Sequence, residues 1–62
     1  MGFPKFVIKD TSDGQFMFNL HSKGNGEIIA TSERYTTKIA CLNGVAAVKR
    51  DAADAEIDDQ TN

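Results

Sequence analysis

Five different chemical groups crowd one short stretch of this chain: the Ser32 hydroxyl, the Glu33 carboxylate, the Arg34 guanidinium, the Tyr35 phenol and the Lys38 amine. A serine nucleophile needs a positioned base, and that base needs a third group to orient it. On a strand, Ser32 and Glu33 point to opposite faces, which separates the nearest candidate pair. Arg34 and Lys38 suggest different chemistry. With a helix starting near Thr37, free backbone N–H groups behind two cations would suit a small anion. The same residue types also build strand ends and helix starts. In that structural reading Ser32 bonds nearby backbone, Tyr35 lays its ring over the core edge, and Thr36 or Thr37 caps the helix. The structural reading is preferred, and Ser32, Arg34, Tyr35 and Lys38 are kept as a candidate ligand or interface group.

Asn43-Gly44 is the second candidate. Glycine inside a helix costs about 1 kcal/mol relative to alanine, so its presence needs a reason. Either the Asn43 amide reaches a ligand or a partner chain, or Gly44 marks a close-packing point. Packing is preferred. Ala40, Gly44 and Ala47 form a small-residue strip that would admit another backbone.

Other residues carry less chemistry. The loop Lys23-Gly24-Asn25-Gly26-Glu27 lacks the spacing of a phosphate-binding loop, and a hairpin explains its glycines. His21 has no ligand-spaced Cys, Asp or second His and is a poor metal site. Cys41 is the only cysteine, so neither a disulfide within the chain nor a cysteine zinc cluster can form. It reads as a small buried hydrophobe. The tail acids lack the glycine spacing of a calcium loop. No catalytic residue, cofactor or metal is expected.

The elements that must position these groups follow from periodicity. Phe6 and Ile8 alternate with Lys5, Val7 and Lys9. Phe16, Phe18 and Leu20 alternate with Met17, Asn19 and His21. Period two marks strands. Asp13-Gly14 and Asn25-Gly26 predict two tight hairpin turns, each a pair with positive φ at both central residues. Glu27–Ser32 reads as a third strand. From Thr37 the period lengthens, and Ile39, Cys41, Leu42, Val45 and Ala46 are expected on the buried helical arc, with Val48 at its edge. Lys49 and Arg50 sit where cations complement a helix C-terminus. Ile57, flanked by acids, is weak evidence for a last strand. One sheet face carries Phe6, Ile8, Phe16, Phe18 and Leu20. The other carries Val7, Met17 and one of Ile28 or Ile29, which is too apolar to face water comfortably.

Size limits what the chain can do alone. It has 62 residues, and a lone domain of about this size buries only about 60% of its unfolded surface. With no disulfide and no metal, a partner subunit is the remaining remedy. Seven basic and nine acidic residues, a net charge of −2, argue against a nucleic-acid module. No stretch is long enough to span a bilayer. The first residues lack a signal-peptide core and the myristoylation pattern. A single unpaired cysteine fits a reducing compartment, and the cytoplasm is expected.

The run from Asp13 to Arg50 also resembles the YegP-like family of small bacterial proteins of unknown function. The specific segments are Asn25-Gly26-Glu27-Ile28-Ile29, Thr31-Ser32-Glu33, Tyr35, Lys38 and Leu42-Asn43-Gly44, in this order and spacing. The likeness extends from about Phe6 to Ala55. It implies an α+β fold built on a β-β-β-α-β unit, an antiparallel meander with one helix on a face. Some members carry the unit twice; this chain resembles a single-repeat member. Such members are expected to pair as homodimers, joining their sheets and exchanging C-terminal strands. Phe16 departs from members with Trp or Tyr there. The expectation is one domain over residues 1–58, a disordered tail over 59–62, and a non-enzymatic homodimeric binding or structural module. The partner is a second copy, with no nucleic acid and no membrane. The alternative is a small-ligand or anion site, catalytic or not, at the junction of strand three and the helix.

Overall fold

The computed structural model describes residues 3–62. The readings that rest on Met1 and Gly2 lie outside it. Three strands, β1 (Lys5–Asp10), β2 (Phe16–His21) and β3 (Ile28–Thr31), are followed by one helix, α1 (Lys38–Asp51), and a single 3-10 turn, Ala52–Asp54. The strands form an antiparallel sheet in the order β1-β2-β3. This is the α+β meander that the alternation predicts.

Register confirms the assignment of faces. Phe6 pairs with Leu20, Ile8 with Phe18, and Asp10 with Phe16, so Phe6, Ile8, Phe16, Phe18 and Leu20 share the face covered by α1. Ala30 joins them opposite Leu20. Lys5, Val7 and Lys9, paired with His21, Asn19 and Met17, form the other face. Ile28 stands opposite His21 on that face, while Ile29 is the extra residue of a bulge. The central strand is the best protected: Phe18 is 4% exposed and Asn19 6%. Asn19 tolerates burial because its Oδ1 accepts a hydrogen bond from the Thr31 hydroxyl at 2.9 Å.

Both hairpins differ from the tight primed turn. Positive φ occurs only at glycine, at Gly14 (83°) and Gly26 (75°), and not at Asp13 or Asn25. The loop between β1 and β2 runs from Thr11 to Gln15, with the Gly14 N–H donating to the Thr11 carbonyl at 3.1 Å. A longer loop reverses the chain through an ordinary turn closed by one left-handed glycine, so only one residue has to leave the right-handed region.

Thr37 is the N-cap of α1: its hydroxyl accepts from the Ala40 N–H at 3.0 Å. Lys49 and Arg50 occupy the last turn. The buried arc differs from the expected one. Cys41 is fully buried, and Gly44, Val45 and Val48 follow it at helical spacing as half-buried residues. Ile39 is 72% exposed and Leu42 45%, and Ala46 is exposed with them. The helix presents its small residues to the sheet because aromatic rings already fill that space.

The C-terminal strand is not formed within the single chain. Ala55 leaves the 3-10 turn in extended conformation, and no strand follows it. Ile57 is 96% exposed.

The two arcs can be separated by substitution. Phe18→Ala should cost about 3–5 kcal/mol, enough to unfold so small a domain. Ile39→Ala should change stability by less than about 0.5 kcal/mol. Thermal unfolding followed by circular dichroism checks both. A comparable loss at Ile39 would contradict the inward face described here.

Candidate functional site

Tyr35 is tied to the sheet before the helix begins. Its N–H donates to the Phe16 carbonyl at 2.7 Å, and its carbonyl accepts from the Phe16 N–H at 2.9 Å. Its ring lies on Phe18, with centroids 6.3 Å apart and planes 13° apart. Phe18 in turn meets Phe6 edge-on at 5.6 Å. The rings sit directly beneath Gly44. A Cβ there would lie 2.8 Å from Tyr35 Cζ and 3.3 Å from Phe18 Cε2, with the Tyr35 hydroxyl closer still. The helical glycine therefore admits an aromatic ring, not the second backbone that the small-residue strip suggested. Asn43 is exposed beside it and makes no side-chain hydrogen bond among the described residues.

The other members of the group are committed to different tasks. Ser32 substitutes for a stretch of sheet ladder. Its N–H donates to the Phe18 carbonyl, its hydroxyl oxygen accepts from the Phe18 N–H at 2.9 Å, and its hydroxyl donates to the Glu33 carbonyl at 2.7 Å. Its one proton is thus engaged by backbone. Arg34 reaches across to the first hairpin, where Nη1 donates to Asp13 Oδ2 at 2.9 Å. Lys38 is exposed at the start of α1. Among the described residues the Ser32 hydroxyl bonds only to backbone, and Arg34 is paired with Asp13 while Lys38 is in no ion pair. As a set, these residues join β3 to α1.

The Asp13 carboxyl is held below the usual carboxylate range, first by the Thr11 hydroxyl and then by Arg34. His21 faces the second hairpin: its Nδ1 lies 2.7 Å from the Gly26 carbonyl. A carbonyl can only accept, so Nδ1 carries the proton. The Phe3 ring packs on His21 at 5.7 Å, and the Lys5 ammonium stands 4.8 Å above the Phe3 ring. Among the described residues no group of three or more His, Cys, Asp or Glu side chains could hold a metal ion. No helix there is long and apolar enough to cross a membrane.

A second site is assembled by the fold at the opposite end of the sheet. An open groove of about 720 Å³ runs between the start of β1, the end of β2 and the last turn of α1. Phe6, Leu20, Ile29 and Val48 line it, and Lys5, Lys23 and Lys49 are the charged residues along its edge. No acidic residue lines it. The sequence carried no signal of this convergence, because its three lysines come from three distant elements.

Comparison with known proteins places this geometry in a family. Residues 11–59 match the model described as a domain of unknown function, DUF1508. A UPF0339 protein of Bordetella pertussis is 55% identical over 49 residues, covering 79% of this chain and 42% of that protein. One from Pseudomonas aeruginosa is 50% identical over 48 residues, covering 77% and 43%. One from Treponema denticola is 42% identical over 53 residues, covering 86% and 90%. The fold is a three-stranded meander under one helix, and the chain belongs to the DUF1508 family of small bacterial proteins. This agrees with the YegP-like resemblance. The chain spans less than half the length of the Bordetella and Pseudomonas relatives and nearly all of the Treponema one. No solved structure matches it.

Two outcomes test the junction. Gly44→Ala should lower the melting temperature although alanine favours helix by about 1 kcal/mol, because the ring beneath has to move. Tyr35→Phe in the same chain should recover part of the loss, since the hydroxyl is the nearest atom. A rise in melting temperature for Gly44→Ala alone would contradict the contact. Asp13 gives a pH test. A depressed folded-state pKa stabilises the fold above the ordinary carboxylate range, and that stabilisation is lost as pH falls through the folded value. Thr11→Val and Arg34→Ala should each move the Asp13 titration upward. Carboxyl chemical shifts followed against pH measure both.

Proposed function

We propose that this chain acts as a homodimer, a non-enzymatic binding or structural module in which two copies join their sheets and exchange C-terminal strands. One observation carries the reading: the single chain exposes too much surface. Its accessible area is 4982 Å², against about 4,000 Å² for a folded monomer of this mass. Its radius of gyration is 13.1 Å, against about 10.6 Å for a compact chain of this length. The area excess is close to the roughly 800 Å² that each partner buries in a stable interface.

The excess has identifiable sources. β3 is an edge strand, exposed along its whole length, with Ile28 53% and Ile29 62% exposed. An uncharged apolar edge invites pairing with another strand. Ile57 stands in an extended tail with nothing around it. The lengths of the relatives point the same way. The longer ones have room for a second unit within one chain, while the Treponema denticola relative is of single-unit length.

The anion or small-ligand reading of the strand-to-helix junction has less support. Ser32 is engaged by backbone and Arg34 by Asp13.

Sedimentation equilibrium at micromolar concentration should give the mass of a dimer. Deleting Ala55–Asp59 should shift it to a monomer. A wild-type monomer would overturn the proposal, and an unchanged dimer after deletion would remove the exchanged strand from it.

A further inference from the structure

We infer that Asn25 is a site of spontaneous covalent modification, where the fold leaves the amide open to conversion into aspartate and isoaspartate, and that Asn43, followed by the same residue, is protected. The chain holds two Asn-Gly pairs, Asn25-Gly26 and Asn43-Gly44, and both asparagines are exposed. An asparagine amide is lost when the backbone nitrogen of the next residue attacks Cγ. That nitrogen first gives its proton to hydroxide. Its new bond to Cγ closes a succinimide ring, the bond from Cγ to Nδ2 breaks, and ammonia leaves with a proton taken from water. A further water then opens the ring. Attack at Cγ gives aspartate; attack at the main-chain carbonyl gives isoaspartate, which lengthens the backbone by a methylene.

The two pairs differ at each requirement of that reaction. Gly26 lies in the loop between β2 and β3, and its N–H makes no hydrogen bond among the described residues. Asn25 Oδ1, where negative charge develops during the attack, accepts from the Glu27 N–H at 3.1 Å and from the Ser22 hydroxyl at 3.2 Å. Donors already aimed at a developing oxyanion lower the barrier to the tetrahedral intermediate. Gly44 instead lies in the middle of α1, where its N–H is engaged by the carbonyl four residues earlier and helical dihedrals hold the main chain. Position 26 cannot shed its lability by substitution. Its φ is 75°, and a Cβ would stand 2.8 Å from Phe3 Cζ, so the turn requires the residue that hinders the attack least. The isoaspartyl product also disturbs the sheet. Its extra methylene moves Gly26, whose carbonyl accepts from His21 Nδ1 at 2.7 Å, and loosens the entry to β3. Aspartate keeps the oxygen to which Ser22 and Glu27 donate.

The test is incubation of the folded full-length chain at mildly alkaline pH, followed by tryptic peptide mapping. Trypsin separates the two pairs, into residues 24–34 and 39–49. Peptide 24–34 should accumulate aspartyl and isoaspartyl forms while 39–49 keeps its amide. Ser22→Ala should slow the change about fivefold in the folded chain, the rate equivalent of one modest hydrogen bond, and leave the rate in urea unaltered. The isoaspartyl form should melt below the Asn25→Asp variant. Conversion of Asn43 as fast as Asn25 in the folded chain would overturn the inference. So would an intact Asn25 over a period in which the urea-unfolded chain converts both. An unchanged rate in Ser22→Ala would overturn the polarisation of the amide, and equal melting would overturn the effect on β3.

Discussion

The placement of one ring governs this small fold. Tyr35 lies flat on Phe18 and directly under Gly44, so helix, junction and central strand meet at one aromatic contact. Phe18 and Cys41 are the only buried hydrophobic residues among those described. With so little core, this contact bears directly on how α1 lies against the sheet. A side chain at position 44 would lift the helix off the ring, and the alignment of Cys41, Val45 and Val48 over the sheet would go with it. The Tyr35 backbone is held in turn by its reciprocal pair with Phe16, so the ring is located before the helix begins.

This contact changes the meaning of the residues around it. Ser32, Arg34, Tyr35 and Lys38 resemble a reactive cluster only along the chain. In space each has a separate structural partner or faces solvent. Ser32 extends the ladder to Phe18, Arg34 ties the junction to the first hairpin, and Tyr35 supports the helix. The same geometry sets where the helix ends, and so where Lys49 lines the same groove as Lys5 and Lys23. The groove at that end is a product of the helix angle, with the chain's acidic tail leaving from its wall.

Much of the fold was legible because strand periodicity is local. Alternation placed Phe6, Ile8, Phe16, Phe18 and Leu20 on one face, and the observed register puts them there together. The Thr37 cap and the cations of the last helical turn are local signals too. The helix arc was harder. Ile39 and Leu42 are the more hydrophobic choice, yet they face outward, because an arc of bulky residues cannot lie over rings that already occupy the space. Hydropathy ranks residues by their cost in water and contains no term for the room available. The turn type was missed for a related reason: the Asp13-Gly14 pair is compatible with loops of more than one length, and pairing across the strands decides which forms.

The sequence by itself determined the three strands of the meander, the start of the helix and the shortage of core. Each follows from composition or from neighbours a few residues apart. Only the tertiary structure decided which helical face turns inward, that Arg34 answers Asp13, and that three lysines edge an apolar groove with no acid in it. These depend on distances between residues far apart in the chain. Those distances exist only once an aromatic ring, a glycine and a central strand have settled how the helix lies.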